Sequence, residues 1–317
     1  MIRASLCATL LGFAASVAAE PPVLGLPIDC VMGETCYIQN QVDRDAGPGA
    51  RDYRCGALTY DGHKGTDFGV PTFADMRLGV DVLASAPGIV RGLRDGVDDV
   101  GPTRVTKGRE CGNGVVLRHV DGWETQYCHM KSGSVLVQNG QSVKRGDVLG
   151  QVGFSGQTEF PHVHLSVRYN GKVVDPFDLS TAPGCDEKGV NLWQNLPEYA
   201  PGGLLDAGFS PGLPEYDVIK DGTAHYRELA ADAPGLVIYG FGYASRKGDE
   251  MDLQITGPMG NFLTRSVKLD KDQAQFFRAS GKQLTQSRWP AGRYTGIVTL
   301  RRGTRVLGMR KTETVIR

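Results

Sequence analysis

The run from Phe160 to Val167, F-P-H-V-H-L-S-V, alternates apolar and polar residues with the period of a β-strand, and it sets His162 and His164 two residues apart. Successive side chains of a strand point to opposite faces, so both imidazoles fall on one side of whatever sheet contains this strand. An ordinary amphipathic strand with two histidines on its wet face would give the same pattern. The rest of the histidine inventory argues for more. Of six histidines in the chain, four (His63, His129, His162 and His164) stand inside recognisable local patterns. Two imidazoles side by side make half of a metal site.

The segment from Tyr60 to Phe68 carries His63 and Asp67 four residues apart, with glycines at Gly62, Gly65 and Gly69. That many glycines favour an extended segment or tight loop over a helix, and in either geometry the two side chains can share a face. His63, Asp67 and one histidine of the H-x-H pair would form two imidazoles and one carboxylate, the three-ligand set of a catalytic zinc site that leaves a position for water. A second segment, Cys111 to His119, then Asp121-Gly122, then Trp123 to His129, reads as a β-hairpin around an Asp-Gly turn whose return strand delivers His129. The zinc-protease device H-E-x-x-H on a helix is absent, so proton transfer falls to imidazole. Tyr127, two residues from His129 and on the same strand face, is a further candidate donor or an ordinary packing residue. His119 and His225 read as structural or surface residues.

Four motifs, G-H-K-G-T-D-F, T-Q-Y-C-H, V-K-R-G-D-V-L-G-Q-V-G-F-S-G and P-H-V-H, occur in an order and separation that resembles the LytM/lysostaphin family of zinc peptidases over about residues 56 to 177. The resemblance implies that His63, Asp67 and His164 bind Zn2+, that His129 and His162 flank the open coordination position, and that the substrate is a peptide of peptidoglycan cross-links or stems. It further implies a compact antiparallel β scaffold, barrel-sandwich related, with a long groove. Three departures bear on substrate choice. Where the family reads S-T-G-P-H-L-H-F-E, this chain has Gln157-Thr158-Glu159-Phe160-Pro161-His162-Val163-His164-Leu165-Ser166, a bulkier and more acidic groove wall. An extra piece follows Val70, and a long charged loop runs from Gly92 to Arg109, both expected to shape the cleft. No ligand is replaced. A non-catalytic envelope protein of the same fold, binding wall or activating a partner hydrolase, is the alternative. The run Val143 to Gly150 also resembles part of lipoyl- and biotinyl-carrier domains, but it lacks their exposed lysine with its flanking methionine or acidic residues, and it reads as a structural hairpin with a Gly-Asp turn.

Residues 1–19 have the basic start (Arg3), apolar core and small-residue end (Val17-Ala18-Ala19) of a secretory signal, which makes the protein exported, either periplasmic or secreted. No other segment approaches the roughly 20 apolar residues of a membrane span. With Cys7 removed, Cys30, Cys36, Cys55, Cys111, Cys128 and Cys185 suggest three disulfides. The hairpin brings Cys111 to Cys128. Lysine plus arginine and aspartate plus glutamate both number 35, which leaves no global field for nucleic acid or an anionic membrane.

The expected organisation is an N-terminal segment at 20–50, a peptidase domain at 51–180, a linker at 181–213 rich in proline, and a C-terminal domain at 214–317. In that last part Leu236 to Phe241, Asp252 to Thr256 and Arg293 to Leu300 read as strands, with turns at Gly257-Pro258 and Arg302-Gly303, the pattern of an immunoglobulin-like sandwich. A spacer role, or binding of wall or an envelope partner, would suit it.

Overall fold

The computed structural model describes residues 20–180 and 189–317. The signal-peptide reading and Cys185 lie outside them. Among the described residues no helix is long and apolar enough to cross a membrane. In chain order the first half comprises β1 (Tyr37–Asn40), β2 (Thr66–Gly69), α1 (Phe73–Leu78), β3 (Asp81–Leu83), β4 (Gly88–Arg94), β5 (Asn113–Arg118), β6 (Trp123–Met130), β7 (Ser142–Val143), β8 (Val148–Gln151), β9 (His162–Tyr169) and β10 (Lys172–Val174). Then follow β11 (Gly203–Ser210), α2 (Tyr216–Asp221), β12 (Glu228–Leu229), β13 (Gly235–Ser245), β14 (Glu250–Gly257), β15 (Gly260–Lys268), β16 (Gln273–Gln283), β17 (Gly292–Arg302) and β18 (Arg305–Ile316). The protein is mainly β, and both α-helices among the described residues are short.

One antiparallel sheet runs β1-β2-β9-β6-β5-β4-β7, with β10 added to β9. The H-x-H run is β9, an interior strand between β2 and β6. Val163, Leu165 and Val167 alternate into the core with Phe68, Val115, Leu117 and Tyr127, which leaves His162, His164 and Ser166 on the opposite face. The Asp121-Gly122 turn joins β5 to β6 with both residues at positive φ, a conformation that aspartate tolerates and glycine prefers. The Val143 to Gly150 run is not a hairpin. β7 pairs with β4 while β8 pairs with β3, so the turn at Lys144 to Asp147 passes the chain between two sheets.

Residues 20–50 are integral to this fold. Leu24, Ile28 and Tyr37 are buried, β1 extends the sheet beside β2, and Cys30 bonds to Cys36. The extra piece after Val70 forms α1, capped by Thr72, whose hydroxyl accepts from the Asp75 amide.

The second half is a sandwich of a three-stranded sheet, β11-β13-β16, over a five-stranded one, β12-β18-β17-β14-β15. Met251, Leu253 and Ile255 of β14 and Val298 and Leu300 of β17 meet Leu236, Ile238 and Phe276 between the layers. The three strands expected from sequence are present within β13, β14 and β17. β11 was not foreseen. It lies in the stretch that its prolines mark as linker, and it pairs with β13 over seven residue pairs, because the prolines flank the strand and leave its amides free to bond.

The three-stranded layer packs directly on the first sheet. Tyr243 stacks on Tyr37 with ring centroids 4.6 Å apart, Gln275 Nε2 donates to Tyr37 Oη at 2.9 Å, and Gln39 Nε2 donates to the Ala274 carbonyl at 3.1 Å. Arg77 of α1 makes a two-pronged contact with Asp221 at the end of α2, at 2.7 and 3.0 Å. One continuous apolar cluster includes Phe68 on one side and Tyr239, Phe241 and Tyr243 on the other.

Candidate active site

Antiparallel pairing of β2 with β9 places Asp67 opposite His164 and Gly69 opposite His162, so the carboxylate and the imidazoles share a face. His63 enters from the turn before β2. That turn is fixed by Asp43, whose carboxylate accepts from the amides of Asp45, Arg51 and Gly62. Gly65 is needed for close approach: a Cβ there would lie 2.6 Å from His164 Cε1 and from the Leu165 carbonyl oxygen.

The donor atoms of His63, Asp67 and His164 all lie within 4.8 Å of one another, and the group could hold a metal ion. His63 Nε2 is 3.2 Å from Asp67 Oδ1 and 3.2 Å from His164 Nδ1, and His164 Nδ1 is 2.8 Å from Asp67 Oδ1. Ligands about 2.05 Å from a tetrahedral zinc stand about 3.3 Å apart, so the cluster needs little adjustment to accept one. The tautomers fit as well. His63 Nδ1 donates to the Gln41 carbonyl at 2.6 Å, which leaves Nε2 as a bare lone pair aimed at Asp67 and His164. Asn40 Nδ2 donates to Asp67 Oδ2 at 2.8 Å and leaves Oδ1 for the cluster.

His129 and His162 stand beside this group with ring centroids 4.7 Å apart. His129 Nδ1 donates to the Ser155 carbonyl at 2.8 Å and His162 Nδ1 to the Phe160 carbonyl at 2.9 Å, so each presents a bare Nε2 inward. All five residues singled out from sequence therefore converge. Tyr127 does not. His129 has φ 62°, which breaks strand alternation and turns its ring away from the face of Tyr127. The Tyr127 hydroxyl instead accepts from the Ser85 amide at 2.7 Å in the core. Cys111 and Cys128 are bonded, which ties the end of β6 just before His129.

Charge follows from burial and neighbours. Burial pushes Asp67 up, but His63 and His162 outweigh it and hold the carboxyl well below its ordinary value. Burial pulls His129 well below the usual imidazole value, reinforced by His162 and His164, so it is neutral at physiological pH. Burial likewise lowers His164, with Asp67 opposing, whereas in His63 the pull of Asp67 overcomes burial and the net direction is up.

Asp67, His129, His162 and His164 open onto a cleft of about 1140 Å³. Tyr60, Glu159 and Phe160 form one side, and the Phe160 ring stacks on His162 at 4.3 Å. Pro102 of the charged loop and Phe154 also line it, and Phe73 of α1 packs on Phe154 edge to face. The opposite side belongs to the sandwich, through Tyr216, Lys220, Arg246 and Gln273 to Gln275. Sequence reasoning missed Asn40 and this far wall. Asn40 sits outside the span of the motifs, and a wall built by tertiary docking leaves no local pattern. His119 is structural, as read, while His225 is half-buried and its Nδ1 accepts from the Phe209 amide at 3.1 Å.

Residues 61–176 match the model of Peptidase family M23. This segment resembles an M23 peptidase domain. Over 120 residues the chain is 33% identical to the DD-carboxypeptidase/endopeptidase Mpg of Neisseria meningitidis, a match that covers 37% of this chain and 23% of that protein. Over 113 residues it is 31% identical to the peptidoglycan DD-endopeptidase ShyA of Vibrio cholerae, covering 36% of this chain and 22% of the relative. The chain thus spans less than a quarter of the length of these curated relatives. Among solved structures, a variant of the catalytic domain of the M23 protein EnpA of Enterococcus faecalis is 25% identical, with 49% of this chain and 93% of that one covered and a TM-score of 0.32. All five clustered residues lie inside the matched M23 segment. The cations of the far wall lie outside it.

Proposed function

We propose that this protein is an exported zinc endopeptidase of the bacterial envelope that hydrolyses peptide bonds in the cross-links or stems of peptidoglycan. The observation that carries the reading is the convergence of five groups inside the M23 segment, His63, Asp67, His129, His162 and His164, of which the last four line one cleft. The name of the relative ShyA, a peptidoglycan DD-endopeptidase, supports the substrate class.

His63 Nε2, Asp67 Oδ1 and His164 Nδ1 would hold the zinc. Bound there, zinc lowers the pKa of a coordinated water towards roughly 7 and draws charge from the scissile carbonyl. His129, kept neutral by burial and lacking a close carboxylate partner, takes the proton of the attacking water at Nε2. His162 Nε2 lies 3.3 Å from Asp67 Oδ1, next to the open position that His129 Nε2 also faces. The proton that His129 takes from the water, passed on to His162, would let His162 hydrogen-bond the developing oxyanion and then protonate the leaving amine. The carbonyls of Ser155 and Phe160 keep both rings in these orientations.

Metal analysis paired with digestion of purified cell wall tests the assignment. Wild-type protein is expected to hold about one zinc and to release peptides, with fragment masses naming the bond cleaved. His164→Ala should lose both properties, whereas His129→Ala should keep its zinc and lose about 10²-fold or more in kcat. Hydrolysis that survives both a chelator and His164→Ala would overturn the metal mechanism.

A further inference from the structure

The cleft over the histidines is closed on its far side by residues that lie outside the M23 segment. Tyr216 and Lys220 come from α2, Arg246 from the turn between β13 and β14, and Gln273 to Gln275 from the edge of β16. These residues share the cavity with His129, His162 and His164. The sandwich is docked through Tyr243 on Tyr37 and through the Gln39 and Gln275 hydrogen bonds, so its wall sits at a defined place relative to the candidate metal ligands.

Two cations stand on that wall, and each is held in place. Lys220 Nζ lies 4.9 Å over the Tyr216 ring, and the ring stacks on Phe277 of β16. Arg77 grips Asp221 at the adjoining helix end. Arg246 is fixed through its backbone amide, which donates to Asp249 Oδ2 at 2.8 Å, and its Nη1 meets Asp272 Oδ2 at 2.7 Å. The Arg246 and Asp272 side chains are 35% and 56% exposed. An ion pair that open to water contributes little, and a guanidinium has five N–H donors, so Arg246 keeps capacity for a second anion. Glu159, a charge of opposite sign, lines the same cleft.

Resting on the peptidase reading, we propose that the C-terminal sandwich is the second wall of the substrate cleft and that Lys220 and Arg246 bind a carboxylate of the peptide away from the scissile bond. The ligand class is an anionic peptide with a free side-chain or main-chain carboxylate. Arginine offers a two-pronged fit to it and lysine a point charge. The sandwich is then a specificity element rather than a spacer.

The test uses full-length, zinc-loaded protein and two synthetic stem peptides that differ in one group, a free carboxylate or its carboxamide at a non-scissile position. The wild-type kcat/KM ratio of carboxylate to carboxamide is expected to be about ten, the size of one charge-assisted contact. The double variant Lys220→Gln, Arg246→Gln should bring the ratio to about one, with the change in KM. Asp272→Asn, which removes the carboxylate that competes for Arg246 while Asp217 stays 2.9 Å from Lys220 Nζ, should raise the ratio above the wild-type value, a direction that a merely structural role would not give. Kd for the same two labelled peptides, read by anisotropy on His129→Ala protein, decides the matter without turnover. Wild-type protein that cleaves neither peptide overturns the peptidase reading alone. Equal Kd for the two peptides, or a ratio unmoved in a folded double variant with normal zinc content, overturns the carboxylate site.

Discussion

The β5–β6 hairpin carries a buried histidine at each end, and the two ends do different things. At the turn end, His119 Nδ1 donates to the Pro87 carbonyl at 2.7 Å and Nε2 lies 2.9 Å from Thr125 Oγ1, which in turn lies 3.1 Å from Tyr127 Oη. The Tyr127 hydroxyl closes the chain by accepting from the Ser85 amide. At the other end, His129 Nδ1 is tied to the Ser155 carbonyl in the same manner, but its Nε2 faces the cleft and the bare lone pairs of its neighbours. Burial and an anchored Nδ1 are therefore common to a structural and a candidate catalytic histidine. What separates them is the inner nitrogen. In one cluster every lone pair meets a hydrogen; in the other, lone pairs converge with nothing between them to share, which is the arrangement a cation satisfies.

A third buried polar group asks whether convergence, rather than an unpaired oxygen, marks the site. Asp175 Oδ1 accepts from the Phe177 amide at 2.9 Å, and among the described residues Oδ2 has no hydrogen-bond partner. Burial pushes this carboxyl up from 3.8 to about 7. Below the unfolded value both states are protonated and Asp175 costs nothing. As pH rises towards 7 the unfolded chain ionises first, so stability falls, by about 4 kcal/mol at most. Asp175→Asn should therefore raise stability in urea melts at pH 8 by up to that amount, with the gain vanishing near pH 4 and zinc content unchanged. A loss of zinc in this variant would mean that unpaired oxygen alone had been mistaken for inertness.

The open cluster can be weakened without touching a ligand. Asn40 Nδ2 holds Asp67 Oδ2 and leaves Oδ1 to the cluster. Removing such an outer partner lowers metal affinity by about 10- to 100-fold. Asn40→Ala should do so in a competition titration against a chelating dye, while the fold persists. An affinity equal to wild type would show that β9 and the turn at His63 orient Asp67 unaided.

Asn40 also shows where sequence reading stops. The H-x-H pair was legible because strand alternation is a two-residue property, and His63 with Asp67 because four residues separate them. The pairing of Asp67 with His164 spans 97 residues and was reached through the ordered motifs, not through any local rule. The groups that fix the tautomers, the carbonyls of Gln41, Ser155 and Phe160, are backbone atoms that every residue possesses, so no residue type announces them. Of the two readings of Tyr127 the packing one holds, because the positive φ at His129 reverses the face on which alternation would put that ring. The far wall depends on how two β units dock, through contacts such as Gln275 with Tyr37 that join residues 238 apart. Composition places both units in the β class and is silent on that.

The smallest effect falls on the closed cluster. Thr125→Val keeps the volume of the side chain but removes the hydroxyl between His119 Nε2 and Tyr127 Oη, both buried. The strand is unchanged in shape, since valine suits β structure as well as threonine does. Two polar atoms lose a partner, and the cost is about 1 to 2 kcal/mol, because buried groups that water cannot reach must go unpaired. A urea melt should show that loss with an unaltered m-value, and zinc content should remain at about one equivalent. His119 and His129 ride on the same hairpin, so a defect at the turn could travel along β6 to the cleft. If Thr125→Val lowers zinc binding or turnover as much as it lowers stability, the two ends of the hairpin form one cooperative unit and the distinction between closed and open clusters fails.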